Sequence, residues 1–258
     1  MNDAASAPPA PQILTRLDGA AIAYHKTAGK SPGVVFLSGF MSDMTGGKAL
    51  FVEDWCKARG QAFLRFDYFG HGQSSGEFTD GCIGRWADDA IYALDHLTEG
   101  PQVLIGSSMG GWLMLLAALA RPERVAGLIG IAPAPDFTED LVVPRLEDEQ
   151  KAALERDGVF YVYSDYGPDP TPYTKKLIDD GRDHLVLREK MPLTCPVRIL
   201  QGMRDPDVPW QTALRITEQL EGDDVETQLV KTGDHRLSEP ADLDRLARTL
   251  GALLDKLE

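Results

Sequence analysis

The sequence is poor in cysteine and in positive charge, and it contains no long apolar run. Its three cysteines, Cys56, Cys82 and Cys195, lack metal-ligand spacing and are too few for a disulfide framework, which fits a reducing compartment. No apolar stretch reaches the roughly 18 residues of a membrane-spanning helix. Lysine and arginine number 26 against 40 acidic residues, and the net charge of −14 argues against nucleic acid or anionic membranes as partners.

The first eleven residues also lack the features of a targeting segment. They contain neither a basic stretch nor an apolar core, as a secretory signal would, and they contain no arginine, as a transit segment would. Their alanine and proline content instead predicts a disordered tail over residues 1–11. We therefore expect a cytoplasmic protein without stable membrane insertion, and the sequence leaves its oligomeric state open.

The sequence does contain the pattern Gly-x-Ser-x-Gly, three times, centred on Ser31, Ser74 and Ser108. This pattern is typical of a nucleophile elbow, in which a serine lies on a tight turn between a buried strand and a helix. Residues 102–106 have the apolar pattern of a short strand, and 110–121 have that of a helix buried on nearly all sides. Ser108 lies between them and is therefore the candidate nucleophile.

The other two copies lack this setting. Ser31 precedes the apolar strand pattern of 34–37, and the next residue, Pro32, has no N–H to offer to a reacting oxygen. Ser74 follows the strand pattern of 62–66 only at a distance, and no helical pattern begins after it. Neither is therefore a candidate nucleophile, and we interpret Ser74 as part of a loop rich in glycine and serine.

A serine nucleophile needs a base and a carboxylate that orients the base. In elbow hydrolases both follow the serine in loops after later strands, the acid first. Of the five histidines, only His235, after the strand pattern of 225–230, meets this order. Asp205 and Asp207 follow the strand pattern of 197–201; Asp205 is the preferred acid because it lies nearer the strand end, whereas Asp207 is expected to bond local backbone.

Two backbone N–H groups complete the predicted site. Met109 follows the nucleophile, and Phe40 lies in the loop after the strand of 33–38, where Gly39 permits close backbone approach. We expect these two N–H groups to form the oxyanion hole. The predicted chemistry is attack of Ser108 on an acyl carbonyl, proton transfer to His235 and hydrolysis of an acyl-enzyme, with no metal or cofactor.

Strand and helix patterns alternate along most of the chain, which predicts an α/β fold with a mostly parallel sheet and helices on both faces. The core is expected over 12–133 and 193–258. Between them the rhythm breaks, and residues 134–192 are interpreted as a lid insertion. Phe137, Tyr161 and Tyr163 are its candidate pocket residues, and the same role is open for the neighbouring Leu141, Val142, Val143 and Phe160.

Over about residues 33–257 the sequence resembles the α/β-hydrolases, and more closely the abhydrolase-domain protein ten group. The matching stretches are 48–50, 65–68, 106–114 (Gly-Ser-Ser-Met-Gly-Gly-Trp-Leu-Met), 120–123, 202–210 and 234–236. The resemblance implies the α/β-hydrolase fold with an eight-stranded sheet, the triad Ser108, Asp205 and His235, and a thioester or ester substrate. That group is known as mitochondrial palmitoyl-protein thioesterases and acyl-glucuronide esterases; here the transit segment is lacking and the insertion matches less tightly.

The leading hypothesis is a serine hydrolase of acyl thioesters or esters, small or protein-linked, most similar to a depalmitoylating palmitoyl-protein thioesterase. A carboxylesterase for small esters or acyl-glucuronides is the alternative, and a carbon–carbon bond hydrolase would use the same triad. Dehalogenase and epoxide hydrolase chemistry is disfavoured because the elbow residue is Ser108 rather than aspartate. A non-catalytic binding protein on the same fold is the alternative of another class.

Overall fold

The computed structural model describes residues 10–163 and 169–258, so most of the predicted tail over 1–11 lies outside the described residues. The strands of these ranges are β1 (Gln12–Thr15), β2 (Ala21–Thr27), β3 (Lys30–Leu37), β4 (Gln61–Phe66), β5 (Gln102–Ser107), β6 (Val125–Ile131), β7 (Val159–Val162), β8 (Thr171–Thr174), β9 (Val197–Gly202) and β10 (Val225–Val230). The α-helices are α1 (Gly47–Arg59), α2 (Ile83–Leu97), α3 (Met109–Ala120), α4 (Asp148–Asp157), α5 (Lys175–Arg182), α6 (Gln211–Gln219) and α7 (Pro240–Leu257).

Eight strands form one sheet in the order β1-β2-β4-β3-β5-β6-β9-β10. β2 pairs antiparallel with both β1 and β4, and the remaining neighbours are parallel. This confirms the predicted α/β fold with a mostly parallel, eight-stranded sheet. Because β3, β5, β9 and β10 run in the same direction, the loops after them meet at one edge, where α/β sheets bind their ligands.

The core has two layers, one on each face of the sheet. On β3, Val35 and Leu37 pack in the cluster that contains Trp112, whereas Val34 and Phe36 pack in the cluster formed with α1 and α7. This alternation follows from the two-residue period of a strand, and it explains why a strand covered on both faces is apolar throughout. Within the described ranges, no helix combines the length and the apolar character needed to cross a membrane.

The residues between β6 and β9, which we call the β6–β9 segment, carry α4, α5 and a separate antiparallel pair, β7 and β8. Leu154, Phe160 and Ile178 form a small apolar cluster of their own within this segment. The second of its two helices, α5, begins at Lys175. The side chain of Thr174 caps that helix by accepting the N–H of Leu177 at 3.0 Å, and the residues before it are extended in β8.

The two ends of the β6–β9 segment are joined through Asp136. This side chain is fully buried, and its carboxylate accepts the backbone N–H groups of Val186 and Leu187 at 2.8 and 2.9 Å. Asp140 adds a contact to the core, since its carboxylate accepts a hydrogen bond from Arg215 of α6 at 2.8 Å. The segment therefore leaves and rejoins the core at one place.

Candidate active site

Ser108 lies on the turn between β5 and α3, with φ 54° and ψ −121°. A positive φ is strained for a residue with a side chain, and such strain is common at catalytic turns. The two motif glycines make the turn sterically feasible. A Cβ on Gly106 would collide with the carbonyl oxygen of Gly110, and a Cβ on Gly110 would collide with that of Leu37. The Gly-x-Ser-x-Gly spacing is thus required by the packing around this elbow.

The three residues of the predicted triad are in contact. His235, in the loop after β10, has Nε2 at 3.0 Å from Ser108 Oγ and Nδ1 at 2.8 Å from Asp205 Oδ2. The Asp205 side chain is inaccessible to solvent, and that of His235 is only 15 % exposed. Both interactions are therefore shielded from competing water, which favours their directional hydrogen bonds.

Asp205 is held by a complete set of donors. Its Oδ1 accepts the N–H groups of Asp207 and Val208 at 2.9 and 2.8 Å, and its Oδ2 accepts from Gln201 Nε2 at 3.1 Å besides His235. Asp207 contributes its backbone N–H to this set and lines the cavity described below. The structure therefore brings Asp205, rather than Asp207, to the Nδ1 atom of the imidazole.

Asp205, Asp207 and His235 each offer a ligand atom, and these atoms lie within 4.8 Å of one another. A metal ion there would compete with the four hydrogen bonds that Asp205 already accepts and with the bond from His235 to Ser108. These hydrogen bonds orient the imidazole of His235, and they leave Asp205 poorly suited to bind a metal ion. The prediction that no metal takes part stays a prediction.

The loop after β3 lies against the elbow, as the sequence predicted. A Cβ on Gly39 would come within 3.3 Å of the Ser107 carbonyl oxygen and 3.4 Å of Ser108 Cβ, so a glycine keeps the two backbones close. The backbone N–H groups of Phe40 and Met109 donate to no acceptor among the described residues. Both residues line the cavity over Ser108, and their role as an oxyanion hole stays a prediction.

A cavity of about 640 Å³ opens over Ser108 and His235, within the usual range for ligand sites. The loop after β3, the start of α1 and the β6–β9 segment form its walls. Its apolar lining is Phe36, Phe40, Met41, Ala49, Met109, Ala134, Phe137, Leu141, Val142, Val162, Tyr173 and Val208. Phe137, expected at the pocket from the sequence, is among these residues.

Tyr161 and Tyr163, the other two expected pocket residues, do not line the cavity. Their exposed fractions are 56 % and 78 %. Alternate residues of β7 point to opposite sides, and Tyr161 takes the outer side, whereas Tyr163 lies directly after the end of β7. The inner side carries Phe160 and Val162. Tyr173, on the neighbouring β8, also lines the cavity and was not identified from the sequence. The centroid of its ring lies 5.3 Å from that of Phe40.

The remaining serines and histidines of interest have structural surroundings. Ser31 lies within β3, and the Ser74 hydroxyl accepts the Ala23 N–H at 2.9 Å while it donates to the Asp67 carbonyl. His71 is buried, and its ring lies edge-on against the stacked rings of Phe78 and Trp86. Burial lowers the pKa of His71 to about 4, so this ring is neutral near pH 7.

A serine elbow on a parallel sheet, with the acid and the base in later loops, defines the α/β-hydrolases. The chain belongs to this family, whose model for the α/β-hydrolase fold matches residues 34–165. Among curated relatives, it is 43 % identical to mouse "Palmitoyl-protein thioesterase ABHD10, mitochondrial" over 250 residues, which is 95 % of this chain and 82 % of that one. The human protein of the same name is 42 % identical over 248 residues, covering 95 % and 80 %.

Two solved structures are also similar to this chain. Mouse alpha/beta hydrolase domain-containing protein 10 has a TM-score of 0.90 at 41 % identity, over 97 % of this chain and 100 % of that one. A protein from Agrobacterium vitis S4, classed provisionally as a hydrolase, gives 0.91 at 43 % identity, over 95 % and 99 %. The predicted family and the predicted hydrolase class are thereby confirmed.

Proposed function

We propose that this chain is a serine thioesterase that releases long acyl groups, of the palmitoyl-protein thioesterase type. The observation that carries the proposal is the hydrogen-bonded line from Asp205 through His235 to Ser108. The chain is 42–43 % identical to the mouse and human ABHD10 thioesterases over 95 % of its length, and this supports the choice of substrate class.

In this proposal Ser108 Oγ attacks the acyl carbonyl while His235 Nε2 takes its proton. The oxygen of the tetrahedral intermediate accepts the N–H groups of Phe40 and Met109. As the intermediate collapses, its C–S or C–O bond breaks, and the protonated His235 donates its proton to the leaving sulfur or oxygen. The thiol or alcohol departs, and an acyl-enzyme remains on Ser108. Water activated by His235 releases the carboxylic acid, and Asp205 stabilises the imidazolium in both half-reactions.

The β6–β9 segment supplies much of the apolar wall that an acyl chain would contact, including Phe137, Leu141, Val142, Val162 and Tyr173. We propose that the segment, over about 134–192 as predicted from the sequence, acts as a cap that selects the acyl group. The substrates are small or protein-linked acyl thioesters and esters. The cytoplasmic location stays a prediction beside relatives that are named mitochondrial, and cell fractionation tests it.

The nucleophile is tested with a fluorophosphonate probe, which labels an activated serine covalently. The wild-type protein should be labelled, and Ser108→Ala should not. Ser31→Ala is the matched control, because Ser31 is the centre of another Gly-x-Ser-x-Gly copy and is exposed. Labelling that persists in Ser108→Ala would refute the assignment.

The substrate class is tested by comparing acyl thioesters with oxygen esters of equal chain length, from acetyl to palmitoyl. The proposal expects kcat/KM to rise with chain length and to favour thioesters. A preference for acetyl esters or for acyl-glucuronides would instead support the carboxylesterase alternative. An unlabelled, inactive wild-type protein would support a binding protein on this fold.

A further inference from the structure

Lys48 occupies an unfavourable position on α1. It is the second residue of that helix, whose first turn contains no acidic residue, and a cation is disfavoured there by the positive end of the helix dipole. The side chain is also partly buried beside the cavity. A lysine in such a place needs a compensating interaction.

That interaction is with the loop that carries the base. Lys48 Nζ donates a hydrogen bond of 2.6 Å to the carbonyl oxygen of Arg236, the residue directly after His235. It also lies 3.4 Å from Ser238 Oγ, whose hydroxyl donates to the same carbonyl at 3.0 Å. One backbone oxygen next to the base is therefore held by two side chains, one of which comes from a helix far away in the sequence.

The loop itself needs such support. Leu237 has φ 45°, a strained value for a residue with a side chain, and its N–H donates to Asp234 Oδ1 at 2.9 Å. The loop is thus a tight turn around His235. Helix α1 offers a rigid attachment point, because Ala49 and Val52, beside and one turn after Lys48, are buried in the core.

We propose that Lys48 is a positioning residue for His235, which it acts on by holding the Arg236 carbonyl. This inference rests on the proposed triad chemistry. A displacement of the base by about 1 Å can cost on the order of a hundredfold in rate, so one hydrogen bond at this carbonyl is enough to matter. The charged groups that face Lys48 are Asp234 and Arg236 on the base loop and Asp242 on α7.

The charge of Lys48 also predicts how kcat depends on pH. Burial lowers the pKa of Lys48 to about 8, opposed by the nearby Asp234 carboxylate. The charge-assisted hydrogen bond to Arg236 weakens as pH rises through this value. The wild-type enzyme should therefore lose kcat above about pH 8, whereas Lys48→Arg, which stays charged, should keep activity to higher pH.

The experiment compares Lys48→Met, Lys48→Arg and the control Lys231→Met, whose lysine is exposed and lies in the turn after β10. For Lys48→Met we expect kcat and the rate of fluorophosphonate labelling to fall about 10- to 100-fold with little change in KM. Lys48→Arg should recover most of the activity, and Lys231→Met should match wild type. Thermal unfolding of each variant checks that it is folded.

Wild-type kcat in Lys48→Met, or a change in KM alone, would overturn the inference, the latter because it would make Lys48 a substrate contact. If Lys48→Met fails to fold, the pH profiles of wild type and Lys48→Arg decide: an alkaline limit at the same pH in both overturns it. Failure of the proposed function is distinct, since the wild-type protein itself would then be neither labelled nor active.

Discussion

At the residue scale, the site depends on side chains whose polar atoms are nearly all engaged. Asp205 uses both carboxylate oxygens, and three of its four donors lie within four residues of it, so its orientation is set locally before His235 makes the fourth bond. His235 is then fixed between Asp205 and Ser108. The orientation of the Asp205 carboxylate therefore determines the orientation of the His235 imidazole.

Asp205→Asn should therefore be far more damaging than Asp207→Asn. The amide NH2 that Asp205→Asn introduces would face N–H donors, and an amide can stabilise neither the correct tautomer nor the imidazolium, so we expect kcat to fall on the order of 10⁴-fold. Asp207 contributes to the set through its backbone N–H, which the substitution retains. Steady-state kcat for both variants measures the difference, and comparable losses would contradict the assignment of the acid.

His71 gives the folded protein a defined sensitivity to acid. Burial lowers its pKa from 6.5 to about 4, so between these values the unfolded chain binds the proton more readily than the folded one. Above pH 6.5 both states are neutral at this group, and it contributes nothing to the pH dependence. As pH falls from 6.5 to 4, the free energy of unfolding should decrease by about 3 kcal/mol from this group.

Urea unfolding at several pH values in that window tests this prediction. His71→Phe keeps an aromatic ring among Phe78 and Trp86 but cannot titrate, so its stability should depend less on pH. His96→Gln is the control, because His96 is exposed on α2 and its replacement should leave the slope unchanged. Identical slopes in wild type and His71→Phe would rule out His71 as the source.

At the scale of elements, the strands and helices next to the proposed catalytic residues were predictable because their apolar periodicity is strong. The runs before Ser108 and Asp205 are buried on both faces, and the order of acid and base is the one that elbow hydrolases share. The pocket was less predictable. The sequence reveals neither which face of β7 is inward nor where this strand ends, so Tyr161 and Tyr163 were placed at the cavity although Val162 and Tyr173 line it.

Lys48 was beyond sequence reasoning for a similar reason. Its role depends on a contact with Arg236 across 188 residues, which no local pattern encodes. The only local signal is a lysine in the first turn of a helix, where the dipole disfavours it. Long-range polar contacts of this kind require the folded structure.

The attachment of the β6–β9 segment gives a prediction about this element. Asp136→Ala removes the acceptor of two buried N–H groups, those of Val186 and Leu187, and should cost about 3 kcal/mol. Hydrogen exchange should become faster in α4, β7 and β8 than in β5 and α3. Asp179→Ala is the control, since its ion pair with Arg182 is exposed and such pairs contribute little. A uniform increase in exchange would contradict a local attachment.

At the scale of the whole molecule, the net charge of −14 creates self-repulsion in the folded state. Raising the ionic strength from about 0.01 M to about 0.15 M shortens the screening distance from about 30 Å to about 8 Å. We therefore expect the midpoint of thermal unfolding to rise over this range of sodium chloride. Differential scanning calorimetry measures it, and a falling midpoint would mean that surface ion pairs outweigh the repulsion.

The hydrogen bonds that join the two ends of the β6–β9 segment through Asp136 have a consequence for re-engineering this protein. Since the β6–β9 segment begins and ends beside one buried carboxylate, its exchange for the corresponding piece of a relative would break the chain at two neighbouring points. Ser108, Asp205 and His235 all lie outside it. Under the proposed function, such an exchange would change the acyl preference and leave the proposed catalytic residues in place, provided that the incoming piece keeps the aspartate and the two N–H groups that it binds.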